Sequence, residues 1–181
     1  VKTTIAELMS KAREHRYPRV KMQEPKRQTR YTYVDGPMKF LGQQIVKAME
    51  DAGFPAKINE CYRSPERQKE LYLNGRSKAH PWRSPHQYYE AVDIISPTKG
   101  WEVSEEFWQT LGACVRIVEE RYSVELVHGD DWKWRDAAHI ELEDWRKVRD
   151  RQAKQKPDQA QLWARFEEVL PEVAKAHLRR K

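Results

Sequence analysis

Apolar side chains recur at helical spacing in four stretches of this chain. Ile5, Leu8, Met9 and Ala12 mark residues 3–16; Phe40, Leu41, Ile45, Ala48 and Met49 mark a helix that begins at Pro37 and ends before Gly53. Phe107, Leu111, Cys114, Val115 and Val118 mark a helix capped by Ser104 that runs to about Tyr122. Leu162, Phe166, Val169 and Leu170 mark a last helix after the break at Lys156-Pro157-Asp158, with Pro171 expected to kink it. A fifth helix is announced by its cap: Ser64-Pro65-Glu66 supplies an N-cap, a first-turn Pro and an early acid, and the helix should stop near Gly75. Strands are predicted over residues 56–62, 88–95, 124–127 and 137–142, separated by a loop over 76–85, a turn over 96–100 and a loop over 129–134. Residues 16–30 are basic, punctuated by Pro and without periodicity, so they read as an extended arm. Helices and strands in this order predict an α+β domain built on a mixed sheet.

The 181 residues suffice for one domain with appendages, and the expected division is a basic arm over 1–36, a core domain over 37–145 and a basic helical extension over 146–181. Charge sharpens that division. Residues 1–39 carry ten Lys and Arg against four acids and residues 146–181 carry eleven against five, while the stretch between them is acidic, thirteen against nineteen. Basic arms around an acidic core suit an anionic partner such as an envelope polymer or lipid; solvated helix faces are the alternative. No recognisable nucleic-acid motif accompanies the charge, which counts against nucleic acid as the partner. No apolar run is long enough to span a membrane. The first residues, Val-Lys-Thr-Thr-Ile, lack the apolar stretch of a secretory signal, so a cytoplasmic location is expected. Cys61 and Cys114 are expected as buried thiols, with one bridge between them as the alternative, and the chain is expected to be monomeric.

Chemistry enters with His86, Asp93 and His139, and with Asp136 three residues before the last histidine. Two imidazoles and a carboxylate are enough to hold a catalytic Zn²⁺ with a position left for water, and a further carboxylate can take that water's proton. The period of two in the strands supports the grouping. Val92 and Ile94, like Ala138, Ile140 and Leu142, can face the core, which turns Asp93, His139 and Glu141 to the other side. Each residue has a plainer alternative: a loop carboxylate for Asp136 and a salt bridge beside a helix for Arg63. His15 and His177 read as surface residues, whereas His80 and His128 lie close enough to the set to compete with it. The His-Glu-x-x-His helix signature is absent.

The segments Ser84-x-His86, Ala91-x-Asp93 and Asp136-x-x-His139-x-Glu141 resemble the zinc D-alanyl-D-alanine carboxypeptidase superfamily, which includes the L-alanyl-D-glutamate endopeptidases of phage endolysins. Tyr62-Arg63-Ser-Pro…Gln68…Leu-Tyr72…Gly75 and His128-Gly-Asp-Asp-Trp132 are similar to two further motifs of that group, so the likeness spans about residues 37–145. It implies a small, mostly antiparallel sheet flanked by helices, as in hedgehog and D-Ala-D-Ala peptidase folds. It implies Zn²⁺ on His86, Asp93 and His139, Asp136 as general base and Arg63 as the cation facing the developing oxyanion. Ser84, Gln68, Glu141, Tyr89 and His128 are then expected to orient ligands or hold substrate. The implied substrate is bacterial peptidoglycan, cut between L-Ala and D-Glu by a phage lysis enzyme that waits in the host cytoplasm. A D,D-carboxypeptidase is the alternative within the group. Tyr89 stands where the group usually has Gly, which favours a second alternative, a non-catalytic virion or wall-binding module.

Overall fold

Helix α1, Gly36–Asp51, opens the computed structural model, which describes residues 34–178. The helix and arm expected over residues 1–33 lie outside the described residues. Pro37 sits in the first turn of α1, and Met38, Leu41, Ile45, Ala48 and Met49 are buried along one face. Phe40 lies at the edge of that face, edge-on to Tyr122 and Phe166 at 5.3 and 6.0 Å between ring centres. Beyond α1 come β1 (Lys57–Glu60), α2 (Pro65–Leu73), a 3₁₀ turn (Pro85–Tyr88), β2 (Ala91–Ile95) and α3 (Glu105–Tyr122). Then β3 (Leu126–His128), a second 3₁₀ turn (Gly129–Asp131), β4 (His139–Leu142), α4 (Trp145–Gln152), α5 (Gln159–Val169) and α6 (Pro171–Leu178) complete the described chain.

The four strands form one sheet in the order β1-β2-β4-β3, and every pairing is antiparallel, so the sheet is not mixed. Asp93 lies opposite His139, Val92 opposite Ile140 and Ala91 opposite Glu141. The alternation read from the sequence therefore holds in register, with Val92 and Ile140 fully buried on the helix side. α1 can approach that side closely because Gly42 has no side chain; a Cβ there would stand 3.0 Å from Ile58 and 3.2 Å from Val92. β2 starts at Ala91 and not at Tyr88. Pro85 opens a tight turn, Glu90 N–H closes it on the Pro85 carbonyl at 3.1 Å, and Tyr89 takes φ 61°.

The last two helices belong to the same hydrophobic core, while Trp145 and Val148 of α4 form a smaller cluster with Tyr88. Leu162, Trp163, Phe166, Leu170 and Ala174 pack in one cluster with Met38, Leu41, Val92 and Ile140. The sequence pattern did not predict α4, because only Trp145 and Val148 interrupt its charged residues. α5 carries a full capping box, Asp158 with Gln161. Pro171 ends α5 and starts α6 instead of kinking a single helix, because it has no N–H to continue the first. Leu162, Phe166 and Leu170 are buried as expected, whereas Val169 is half-buried. Arg165 anchors α5: its guanidinium is buried against Glu90 (Nη2 to Oε2 3.0 Å) and also meets Asp144 and Glu168. Cys61 and Cys114 are separate buried thiols, each pushed up to about 12 by burial, so the bridge alternative is not realised.

Candidate metal centre

The centre is built where β2 and β4 pair. Asp93 and His139 face each other across the two strands, and the 3₁₀ turn before β2 brings His86 beside them. Nε2 of His86, Nδ1 of His139 and Oδ1 of Asp93 form a triangle with all three sides 3.2 Å. Three corners of a tetrahedron around a cation with bonds of about 2.0–2.1 Å lie roughly 3.3 Å apart, so the triangle fits one ion.

The outer hydrogen bonds assign the protons. Nδ1–H of His86 donates to the Cys61 carbonyl at 3.0 Å, and Nε2–H of His139 donates to Glu141 Oε2 at 3.0 Å. Each ring therefore turns an unprotonated nitrogen toward Asp93, and three lone-pair donors converge on one point. Such a cluster repels itself unless a proton or cation sits among the atoms. Burial opposes charge on His139, but its hydrogen bonds to Asp93 and Glu141 outweigh it and push the imidazole up to about 9. Burial likewise works against the Asp93 carboxylate, yet His86 and His139 hold it well below the usual range. The donor set suits a divalent cation, and His86, Asp93 and His139 can hold one.

A second layer fixes these ligands. Arg63 Nη2 donates to Asp93 Oδ2 at 3.1 Å, leaving Oδ1 for the centre. Its Nε and Nη2 both reach Glu60, and its Nη1 donates to Gln68 Oε1 at 3.1 Å. Four of the five guanidinium N–H bonds are thus engaged, so Arg63 is first a positioning group for Asp93. Gln68 is fully buried; its amide donates to Ser77 Oγ at 2.8 Å and to the Ala79 carbonyl at 2.7 Å, which ties the 76–85 loop to Arg63. Glu141 is buried, and its second oxygen accepts from the Trp145 indole at 3.1 Å. Ser84 is buried at the start of the 3₁₀ turn and makes no side-chain capping bond there.

Asp136 lies on the rim, where its side chain is open to solvent on one side and crowded by protein on the other. That crowding and the charge of Asp93 raise its carboxyl above the ordinary value, against the pull of His139, His86 and Arg63. The backbone places it: Asp136 N–H donates to the Gly129 carbonyl at 2.9 Å, and His139 N–H donates to the Asp136 carbonyl at 3.0 Å. Gly129 is needed for this approach, since a Cβ there would stand 2.4 Å from the Asp136 carbonyl oxygen. Gly129→Ala is expected to displace the Asp136 segment while metal uptake on His86, Asp93 and His139 is kept, as a structure of the variant and metal analysis would show.

Two expected residues face elsewhere. His128 pairs with Ile140 on the helix side of the sheet, lies against Gly112 of α3 and donates from Nε2 to the Ala137 carbonyl at 2.7 Å. It is a buried structural histidine, because one strand position separates the two faces of the sheet. Tyr89 does not narrow the site: its ring stacks on Tyr62 at 4.8 Å, beneath the ammonium of Lys156, and joins the core. Its left-handed backbone accounts for Gly as the less strained choice there, and the stack gives the Tyr something in return. Among the other histidines, His80 packs on Tyr72 and His177 beside Trp163.

The sequence reading did not single out Trp132 or Glu60 as site residues. Trp132 tilts over the His139 ring at 5.1 Å and remains 39% exposed, so it forms an aromatic wall beside the centre. Its signal was its place in the Gly-Asp-Asp-Trp loop. Glu60 ends β1 opposite Asp93, a pairing that no local motif announces.

No family model matches the sequence. Among solved structures, the chain is similar to the Serratia marcescens L-Ala D-Glu endopeptidase ChiX, with 23% identity and a TM-score of 0.52 over 62% of this chain and 85% of that one. The small antiparallel sheet and its flanking helices are therefore the α+β fold of that endopeptidase.

Proposed function

We propose that this chain is a zinc-dependent peptidoglycan peptidase of the endolysin kind, cutting the stem peptide between L-Ala and D-Glu. The observation that carries the reading is the convergence of three lone-pair donors on one point with a free carboxylate, Asp136, at its rim. The fold shared with an L-Ala D-Glu endopeptidase supports the choice of substrate bond.

A zinc ion on His86, Asp93 and His139 would supply Lewis acidity and a lowered pKa for water. Asp136 takes a proton from the attacking water as its oxygen adds to the scissile carbonyl carbon, then delivers that proton to the amine as the C–N bond breaks. The products are a new carboxylate on L-Ala and a new amine on D-Glu. Arg63 keeps one N–H and its charge for the oxygen on which negative charge develops, while its bond to Asp93 holds that carboxylate and its bonds to Glu60 and Gln68 hold the guanidinium. Trp132 offers an apolar face to the substrate beside His139.

Contact with an anionic envelope draws less support. Lys147, Arg149, Arg151, Arg165 and Lys175 all pair with carboxylates of this chain, so the C-terminal segment presents less positive charge than its composition promises.

The test is digestion of purified peptidoglycan with and without a chelator, followed by mass spectrometry of the new termini. New L-Ala carboxyl and D-Glu amino ends that vanish with chelator and return with added zinc are expected. Release of D-Ala alone would move the activity to a carboxypeptidase, and bound zinc with no new termini would make the chain a binding module.

A further inference from the structure

The metal centre is continuous with the C-terminal helices through one hydrogen-bonded line. His139 donates from Nε2 to Glu141 Oε2 at 3.0 Å, and Glu141 Oε1 accepts from the Trp145 indole N–H at 3.1 Å. All three side chains are buried, at 6%, 5% and 3% exposure, so neither bond competes with bulk water. Glu141 and Trp145 stand four residues apart across the junction from β4 to α4, which brings the indole back over the end of the strand.

Trp145 is itself held in place. Its ring lies near Tyr88, at 6.3 Å and an angle of 30°, and packs with Val148. The guanidinium groups of Arg146 and Arg149 lie 4.9 and 5.5 Å from its ring centre. Tyr88 belongs to the same 3₁₀ turn as His86, so the indole contacts the segment that carries one ligand and hydrogen-bonds the carboxylate that orients another. A Glu at position 141 without this donor would be free to rotate, and a rotated Glu141 no longer specifies which nitrogen of His139 carries the proton.

We propose that Trp145 is a positioning residue of the metal centre, acting through Glu141 to fix the tautomer and orientation of His139. The proposal rests on the metal reading above and extends the centre by one layer to Trp145, the first residue of α4 and the last of the expected core domain.

The experiment uses the full chain, with zinc affinity measured by chelator competition and ligand geometry by the visible spectrum of the cobalt-loaded protein. Trp145→Phe should weaken zinc binding about tenfold, at the low end of the effect of losing a ligand's orienting partner, and should shift the cobalt bands. In a Glu141→Ala background the same change should add nothing, because the line is already cut. Should Trp145→Phe fail to fold, benzothienylalanine at position 145 keeps the bicyclic bulk and replaces the N–H with sulfur, and the same outcomes apply. Unchanged affinity and spectrum would overturn the proposal, as would an equal loss in the Glu141→Ala background, which marks general loosening. A wild-type chain that takes up neither zinc nor cobalt would overturn the metal reading itself, and this proposal with it.

Discussion

Asp136→Asn is expected to lower turnover about 10²–10⁴-fold while leaving zinc content and KM close to those of the wild type. The change is nearly isosteric and removes only the capacity to accept a proton. The contacts that hold this segment are backbone bonds to Gly129 and His139, which the substitution does not touch. The ligand triangle of His86, Asp93 and His139 closes without Asp136, so metal binding should survive. Kinetics on a synthetic stem peptide together with metal analysis separate the outcomes. Zinc lost along with activity would make Asp136 a ligand, and unchanged turnover would deprive it of any part in proton transfer.

Much of this centre was legible in the sequence because strands impose a period of two. Once Val92, Ile94, Ile140 and Leu142 are assigned to the core, Asp93 and His139 must share the opposite face, and the observed register sets them directly across from one another. The same rule disposes of His128, which alternation within its own short strand could not settle but pairing with Ile140 does. Tertiary pairings were illegible for a physical reason: they join residues far apart in the chain and leave no local periodicity. Arg63 shows this well. Its segment marks a helix start and suggests a cation near the site, and Glu60 and Gln68 are its neighbours in the chain, yet nothing local reveals that Asp93, on another strand, takes one of its donors. Helix α4 was missed because Trp145 and Val148 alone make too narrow an apolar stripe to register. The expected boundary near residue 145 came from the extent of the resemblance and from charge, and neither tells that Leu162 and Phe166 pack in one core with α1.

Arg165→Met should be the most destabilising single change in the C-terminal segment, costing about 3–5 kcal/mol at neutral pH, as expected when a buried ion pair loses one partner. Methionine retains much of the apolar bulk, so the loss isolates the charge. Glu90 would be left buried at 1% exposure with no guanidinium to face, at the root of the strand that carries Asp93. The sign of the pH dependence follows from its carboxyl. Burial raises Glu90 to about 7 even against the charge and hydrogen bonds of Arg165. A carboxyl raised in the folded state holds its proton where the unfolded chain has released it, so stability falls as pH rises from the ordinary value of 4.5 through about 7. Removing Arg165 takes away the group that lowers this carboxyl, so the window widens upward and the variant should be weakest in alkaline buffer. Urea denaturation across the range should show Arg165→Met regaining part of its stability on acidification, and Glu90→Gln in the same background should remove that recovery. A loss that does not change with pH would mean that Arg165 contributes through packing and its exposed partners, and that Glu90 is already neutral in the wild type.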